Sequence, residues 1–221
     1  MKLNQLPPHQ IGSRDHLRLA LKHFKPLNPY FRNFARFKIL LDPMFPRLAD
    51  FVSSGWKMID IGCGFGIQAA WLLAVYPDLK FLSCDPDGER VKIASRVLGD
   101  KGRVLQCGAM DLSLENERAD AVLCIDVLHY LSDWELQEFL KRVRKVLPEE
   151  GKLIIRLTVP GNGFHIFRMV EIMKLRIKGV HYYFRDVKEN APIIESSGFK
   201  LELVEPTAPG REETWFIAGL A

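Results

Sequence analysis

The stretch Trp56-Lys-Met-Ile-Asp-Ile-Gly-Cys-Gly-Phe-Gly66 decides the fold that this sequence predicts. Its first half is an apolar run interrupted only by Asp60, and its second half carries glycine at alternate positions, 62, 64 and 66. Apolar residues then recur at helical spacing from Ile67 to Ala74, and Pro77 ends the run. The pattern predicts a strand, a tight glycine turn and a helix N-terminus. Such a turn brings backbone amides and a helix dipole close to a nucleotide-like ligand.

The rest of the chain alternates strand and helix patterns around this stretch. Helical patterns follow the strands as connections, for example the capping box that starts at Ser132 and the amphipathic run behind it. We expect further strands over residues 80–84, 103–107, 119–125, 152–158, 200–205 and 214–220. This alternation predicts an α/β fold with a parallel sheet covered by helices on both faces. In such sheets ligands bind at the carboxyl ends of the strands, near the point where the strand order reverses.

Composition limits the class of protein. The 221 residues are 48% apolar and 26% charged, which is typical of a globular domain, and no apolar run approaches the roughly 18 residues of a membrane span. The four cysteines, Cys63, Cys84, Cys107 and Cys124, lack Cys-x-x-Cys spacing. That absence disfavours a zinc or redox site, so no metal is predicted. We expect free thiols and a cytoplasmic protein.

The charge of +4 is unevenly distributed along the chain. Residues 1–55 hold nine Lys or Arg and three Asp or Glu, a net +6, and the remainder is net −2. A basic N-terminal segment can face an acidic partner, nucleic acid or a phosphate group. The same composition also fits a solvated helical face, which is the interpretation that we favour. Nucleic acid is therefore not the expected partner.

Two ligand classes fit a glycine turn after a first strand. The residues from Gly64 to Ala69 satisfy G-x-G-x-x-A, the dinucleotide fingerprint, which is a weak signal by itself. Gly62 extends the pattern to G-x-G-x-G, and Asp85 follows Gly64 by 21 residues at the end of the second strand. A carboxylate there can accept hydrogen bonds from both hydroxyls of a ribose. The chain has one glycine-rich turn, whereas a dinucleotide needs a second mononucleotide-binding half.

In this context the residues resemble the class I S-adenosylmethionine-dependent methyltransferases. Met58 to Gly66 looks like the first motif of that family, and Ser83-Cys-Asp-Pro-Asp87 looks like the second. The segment Cys107 to Asp111 is similar to the adenine-lining segment, and Asp120 to Leu131 resembles the fourth motif. Leu147 to Ile155 resembles the L-x-P-G-G-x-L turn and strand, with Glu150 in place of the first glycine. The resemblance runs from about residue 59 to residue 218.

The resemblance implies a three-layer αβα sandwich with a seven-stranded sheet in the order 3-2-1-4-5-7-6, the seventh strand being antiparallel. It implies S-adenosylmethionine as cofactor and S-adenosylhomocysteine as product. The glycine-loop backbone would face the methionine moiety, and an acidic strand end would hold the ribose. The cofactor-binding residues that it implies are Asp60, Gly62, Cys63, Gly64, Gly66, Asp85, Pro86, Met110, Asp111, Ile125 and Asp126. For Asp60 a structural role in holding the glycine loop is nearly as probable.

Methyl transfer from a sulfonium needs a base only if the nucleophile must lose a proton. His129, just beyond the fourth strand, is the first candidate for that base, followed by Tyr130, Arg156 and His165. The alternative for His129 is packing against the cofactor or capping of the turn, and we weigh this alternative above catalysis. No cluster of candidate metal ligands supports a metal-assisted mechanism.

We expect one methyltransferase domain with an N-terminal helical arm (1–54), a cofactor-binding core (55–159), a cap insertion (160–198) and two final strands (199–221). The arm and the cap are rich in Phe, Tyr, Met and Leu, which favours a small or medium apolar acceptor. The fourth motif lacks the Pro-Pro-aromatic pattern of DNA-base methyltransferases. Residues 35–50 also look similar to bacterial methyltransferases encoded with fatty-acid and polyene pathway enzymes, which would imply O-methylation.

Three alternatives stay open at this point. They are an NAD(P)-dependent oxidoreductase, an RNA methyltransferase that uses the basic arm, and a non-catalytic module that keeps the cofactor fold. The oligomeric state does not follow from the sequence.

Overall fold

A computed structural model of the chain describes residues 10–161, 173 and 181–221. The described strands are β1 Lys57–Ile61, β2 Lys80–Asp85, β3 Gly102–Gln106, β4 Ala121–Ile125, β5 Lys152–Thr158, β6 Phe199–Pro206 and β7 Glu213–Leu220. The described helices are α1 Arg14–Lys22, α2 Pro29–Leu41, α3 Met44–Leu48, α4 Ile67–Val75, α5 Gly88–Leu98, α6 Asp133–Arg144 and α7 Val187–Ser196.

The seven strands form one sheet in the order β3-β2-β1-β4-β5-β7-β6. Strands β1 to β5 are mutually parallel, and β7 runs antiparallel to both β5 and β6. The predicted fold class and strand order are therefore confirmed. From β1 to β3 successive strands are added towards one edge of the sheet, and β4 and β5 are added on the other side of β1. The carboxyl ends of β1 and β4 therefore mark the switch point, at which ligands bind in such sheets.

Two separate hydrophobic cores cover the two faces of the sheet. One contains the arm together with α4 and α5, and its largest fully buried side chains include Phe24, Phe45 and Trp71. The other contains α6 and α7, with Phe139 and Phe199 among its members. Each large side chain buried in this way contributes on the order of 1.5–3 kcal/mol. The three layers predicted from the β–α alternation are present.

His16 of α1 packs the arm against Trp71 of α4. Its ring stacks on Trp71 with centroids 3.4 Å apart, and Nδ1 accepts a hydrogen bond from the Gly12 amide at 3.1 Å. Nε2 must therefore carry the proton that it donates to the Trp71 carbonyl, at 2.9 Å. Burial lowers the pKa of His16 to about 4 despite that carbonyl. The histidine is thus a neutral packing group that docks α1 on α4.

The junction after α2 contains two short helical elements. Helix α3 has only five residues, with Pro43 as its N-cap, and a 3-10 turn over Ala49–Phe51 follows it. Asp42, the residue before Pro43, accepts a hydrogen bond on its Oδ1 from the Met44 amide at 3.1 Å. The same carboxylate is also bound by a distant arginine, described below.

The capping box at Ser132 is present at the start of α6, as predicted. Residues 162–172 and 174–180 of the expected cap over 160–198, including His165, lie outside the described residues. The described part of the cap contains α7. No described helix has the length and apolar character that crossing a bilayer requires.

Candidate active site

The glycine turn after β1 holds its three glycines in a conformation that other residues rarely adopt. Gly62, Gly64 and Gly66 have φ angles of 70°, 54° and 74°, where a Cβ is disfavoured. A Cβ on Gly62 would also stand 2.3 Å from Cγ2 of Val127, and one on Gly66 would stand 3.1 Å from Cδ1 of Leu98. At Gly64 no heavy atom of the described residues lies within 4 Å of that position. The turn is closed on two sides and open at Gly64.

Asp85 at the end of β2 joins the glycine turn to the next loop. Its side chain is almost fully buried, with Oδ2 accepting from the Gly64 amide at 2.9 Å and Oδ1 from the Asp87 amide at 3.0 Å. The guanidinium of Arg90 lies 3.9 Å from Oδ2. A carboxylate has about four lone-pair sites. Two of those sites on Asp85 therefore stay available for hydroxyl groups.

Asp60 lies within β1, beneath the turn, and is buried. Its Oδ2 has no hydrogen-bond partner among the described residues, and its carboxylate makes no hydrogen bond with the glycine turn there. Burial, together with the charge of Asp85, raises the pKa of Asp60 to about 7. The structural role considered for this residue, holding the loop by its amides, is thus absent from the described contacts. An orphaned buried carboxylate fits a neighbouring cation.

A cavity of about 620 Å³ opens at the switch point. That size is within the usual range of small-molecule sites, about 300–1,000 Å³. Seven predicted residues line it, namely Gly62, Asp85, Pro86, Met110, Asp111, Ile125 and Asp126. The other predicted residues, Asp60, Cys63, Gly64, Gly66 and His129, do not line it. Among the described lining residues, only Arg90 lies outside the motifs that the sequence analysis quoted.

An arginine of α6 fixes the cavity wall that follows β3. The guanidinium of Arg142 donates to the Met110 carbonyl at 2.6 Å and also to the Leu112 carbonyl. The Asp111 amide closes the turn by donating to the Gly108 carbonyl at 3.1 Å. Met110 and Asp111 are therefore presented to the cavity by a turn whose carbonyls are held from outside.

Asp126 forms the opposite wall and is held in an unusual backbone conformation. Its φ of 56° is one of two positive values among the described non-glycine residues. Arg156 of β5, which is buried, binds both carboxylate oxygens of Asp126 and reaches Oδ1 of Asp42 at 2.6 Å. Burial by itself would raise the pKa of Asp42, but Arg156 and Lys38 outweigh it and lower that pKa to about 2. We call the three residues Asp42, Arg156 and Asp126 the buried ion triad.

His129 lies in a 3-10 turn over Leu128–Tyr130 and is buried beside aromatic rings. Its ring stacks on Phe184 with centroids 5.2 Å apart and lies 4.2 Å from the ring of Tyr130. Neither ring nitrogen has a hydrogen-bond partner in the part of the chain that the structure describes. Burial lowers the pKa of His129 to about 4, with Asp126 opposing and Arg185 reinforcing the shift. The imidazole is therefore neutral near pH 7.

Comparison with known proteins agrees with this geometry. Residues 59–155 match the family model described as a methyltransferase domain. The chain is 29% identical over 160 residues to the phenazine O-methyltransferase PhzM of Lysobacter antibioticus, covering 69% of this chain and 46% of that protein. Over 123 residues it is 35% identical to the tRNA (carboxymethyluridine(34)-5-O)-methyltransferase of Arabidopsis thaliana, covering 54% and 26% respectively.

The fold is also similar to that of a solved structure, the mitomycin 7-O-methyltransferase MmcR. The TM-score is 0.68 at 19% identity, over 98% of this chain and 69% of that one. The family match runs from β1 to β5 and includes the ends of β1 to β4, which build the cavity. The chain carries a class I methyltransferase domain. It spans less than half the length of the two curated relatives described above.

The residues of the methyltransferase domain fit S-adenosylmethionine. The orphaned carboxylate of Asp60 suits a ligand that carries positive charge, and the free lone pairs of Asp85 suit ribose hydroxyls. The open side of Gly64 leaves room for close backbone approach. In the described residues no group of three or more His, Cys, Asp or Glu is placed to hold a metal ion.

Proposed function

We propose that the protein transfers the methyl group of S-adenosylmethionine to a hydroxyl oxygen of a small or medium, largely apolar acceptor. The observation that carries this proposal is the switch-point cavity. Seven of the predicted cofactor residues line it, and the buried Asp85 is one of them. All three relatives described above are O-methyltransferases by name. Their similarity supports oxygen as the acceptor atom.

In this proposal the residues of the cavity hold the donor from three sides. Asp85 accepts the ribose hydroxyls, and the turn at Met110 and Asp111 lies against the adenine. Ile125, Asp126 and the glycine turn face the methionine end, with Asp60 beneath it. When bound, the cofactor supplies a methyl group already activated by a positively charged sulfur. The chain then contributes mainly orientation and exclusion of water.

His129 is the proposed general base. A neutral, unpartnered imidazole can take the hydroxyl proton as the oxygen forms its bond to the methyl carbon. The residues on its C-terminal side, Tyr130 and Leu131, line the cavity, whereas the His129 ring lies behind them. The competing role is packing against Phe184, which requires no proton transfer.

Calorimetric titration of the purified protein with S-adenosylhomocysteine and with NADP tests the donor. We expect micromolar or tighter binding of S-adenosylhomocysteine, and about a 10- to 100-fold loss in Asp85→Ala, because buried hydrogen bonds to a carboxylate are worth about 1.5–3 kcal/mol. Asp100→Ala, at the opposite end of the sheet, is the matched control. Tight binding of NADP alone would refute the proposal and favour the oxidoreductase. An unchanged affinity in Asp85→Ala would remove the proposed ribose contact.

The acceptor is tested with labelled S-adenosylmethionine and a panel of phenols and hydroxylated heteroaromatics, with bulk tRNA beside it. We expect transfer to one or more small hydroxyl compounds. His129→Gln should lower kcat by about 100-fold or more while the affinity for S-adenosylhomocysteine is kept, since general bases contribute about 10²–10⁴. His23→Gln is the control. An unchanged kcat would leave His129 with the packing role.

RNA methylation is the second candidate function. It is favoured by the tRNA methyltransferase among the relatives and by the basic arm. Label incorporated into tRNA but not into the small hydroxyl compounds would establish it in place of the first. We further propose a reducing, cytoplasmic setting, because all four cysteines are free and three of them are buried.

A further inference from the structure

Helix α2 is apolar on the side that faces solvent. Its inward side chains, Ala35 and Ile39, are buried. Of the eleven large apolar side chains exposed in the described residues, five lie on this one helix, namely Tyr30, Phe34, Phe37, Leu40 and Leu41. Leu41 is 72% exposed and Phe37 58%. A helix at a protein surface normally turns its polar residues towards solvent and its apolar residues towards the core. The outer face of α2 therefore needs an apolar environment that the described residues do not supply.

A cationic groove lies beside this face. It has a volume of about 740 Å³ between α1 and α2, and Leu40 of the apolar face is one of its lining residues. No acidic residue lines the groove, and its basic side chains are Arg14, Arg18, Lys25, Arg32 and Arg36. Within the described residues only Arg18 has an acidic partner, the exposed Asp15. The apolar face and the groove form one continuous surface, which we call the arm surface.

The occupant of the arm surface must be both anionic and apolar. Phe37, Leu40 and Leu41 are exposed on α2, and about 16 Å of helix separates the first and last exposed apolar residues, Tyr30 and Leu41. A second copy of the chain would bring cations against cations. A nucleic acid would neutralise the groove but leave Leu40 and Leu41 in water. Anionic lipid satisfies both, because apolar side chains enter the acyl boundary while flanking Arg and Lys reach the headgroups.

We propose that the arm surface docks the protein on an anionic membrane surface, with α2 lying in the plane of the interface. Phe31 and Phe34 of the same helix contact Phe65 of the glycine turn, with ring centroids 5.4 and 5.5 Å apart. Docking through α2 therefore holds the glycine turn beside the interface. An apolar acceptor dissolved in lipid would then be within reach of the site.

Cosedimentation with vesicles tests this proposal on the whole protein without any acceptor. We compare phosphatidylcholine vesicles containing 30% phosphatidylglycerol with pure phosphatidylcholine vesicles, at about 50 and 300 mM NaCl. We expect at least tenfold tighter binding to the anionic vesicles at low salt and a large loss at high salt, because surface attraction is screened.

Two variants separate the apolar and charged contributions. Phe37→Ser with Leu41→Ser should weaken vesicle binding at least tenfold, whereas Trp134→Ser, an exposed aromatic on α6, should not. Arg32→Gln with Arg36→Gln should abolish the preference for phosphatidylglycerol, whereas Lys92→Gln with Arg96→Gln on α5 removes equal charge and should preserve it. An unchanged urea midpoint in each variant shows that the fold is intact.

The proposal is overturned by any of four results. These are no binding to the anionic vesicles at low salt, equal binding to both vesicle types, equal losses in the control variants, or concentration-dependent dimers that the Phe37→Ser and Leu41→Ser variant abolishes without lipid. Binding of a 20-nucleotide RNA that persists at 300 mM NaCl, where vesicle binding is absent, would assign the arm surface to nucleic acid. None of these results alters the test of methyl transfer.

Discussion

The cavity edge and the N-terminal arm are built by different means. The cavity edge is built mainly from backbone amides and glycine conformations. For example, the Gly64 amide donates a hydrogen bond to Asp85, only 21 residues later in the sequence. The arm is held by side chains that are distant in sequence, such as Asp42 and Arg156, which are 114 residues apart. A site made of backbone and short loops leaves a recognisable pattern in the sequence. A surface held by distant side chains does not.

The buried ion triad gives the largest expected effect on the arm. Arg156→Met would leave the carboxylates of Asp42 and Asp126 without their shared partner, and breaking a buried ion pair costs about 3–5 kcal/mol. Urea unfolding measures this loss. Lys152→Met on the same strand, which removes a partly exposed pair with Glu202, should cost about 1 kcal/mol or less. Equal costs for the two variants would contradict the long-range account of the arm.

At the cavity edge the matching experiment is Gly62→Ala. The left-handed conformation costs about 1–2 kcal/mol for a non-glycine residue, and the collision with Val127 adds about 1–3 kcal/mol. We expect roughly 100-fold weaker binding of S-adenosylhomocysteine, measured by calorimetry. Gly210→Ala has a similar φ of 74° but no atom within 4 Å among the described residues, and should leave the affinity unchanged.

The collision can be separated from the backbone strain by adding a second substitution. Val127→Ala in the Gly62→Ala background removes the atom that the new Cβ meets, so part of the affinity should return. No recovery would mean that backbone conformation alone sets the effect.

Acid should weaken the arm through His16. Its folded pKa of about 4 lies below the unfolded value of 6.5, so the unfolded chain binds more protons between these values. The stability contributed by His16 is therefore present above pH 6.5 and is lost as the pH falls towards 4, by about 1–3 kcal/mol. Asp60 opposes this trend, because its raised pKa favours the folded state at low pH.

The contribution of His16 is thus read as a difference. The free energy of unfolding of the wild type minus that of His16→Gln should be larger at pH 7.5 than at pH 4.5. His129→Gln, whose histidine also has a lowered pKa, should show the same sign. A difference that does not change with pH would mean that folding does not shift the pKa of His16.

The smallest expected effect concerns the outer partner of Asp42. Lys38 contacts Oδ2 of Asp42 at 2.9 Å, but its side chain is 39% exposed. Lys38→Met should therefore cost less than about 1 kcal/mol in urea unfolding, because exposed pairs are screened. A loss as large as that of Arg156→Met would mean that the surface charge, rather than the buried one, holds α2.

Much of the sheet and cavity could be predicted from the sequence. The glycine spacing, Asp85 and the strand alternation are local features, and the resemblance added the strand order. Arg142 could not be found in this way, because its function is to bind backbone carbonyls 30 and 32 residues earlier, and any surface arginine of a helix has the same local pattern.

The burial of charged residues could not be predicted from the sequence either. Arg156 occupies a strand position that a sequence reader assigns to either face, and only the approach of Asp42 from the arm shows why a charge can be buried there. His129 was named for its place after β4, but its enclosure by Phe184 depends on a segment 55 residues later. Its role stays a prediction.

The buried ion triad also connects the arm with the cavity. It joins the end of α2 to the cavity wall at Asp126, and the side chain of the next residue, Val127, occupies the space where a Cβ on Gly62 would stand. A free-energy coupling acts equally in both directions, so a ligand that fills the cavity should steady the arm, and anything that grips the arm should tighten the cavity. Under the proposed function, binding at the arm would therefore change the rate of methyl transfer, with Arg156 as the connecting residue.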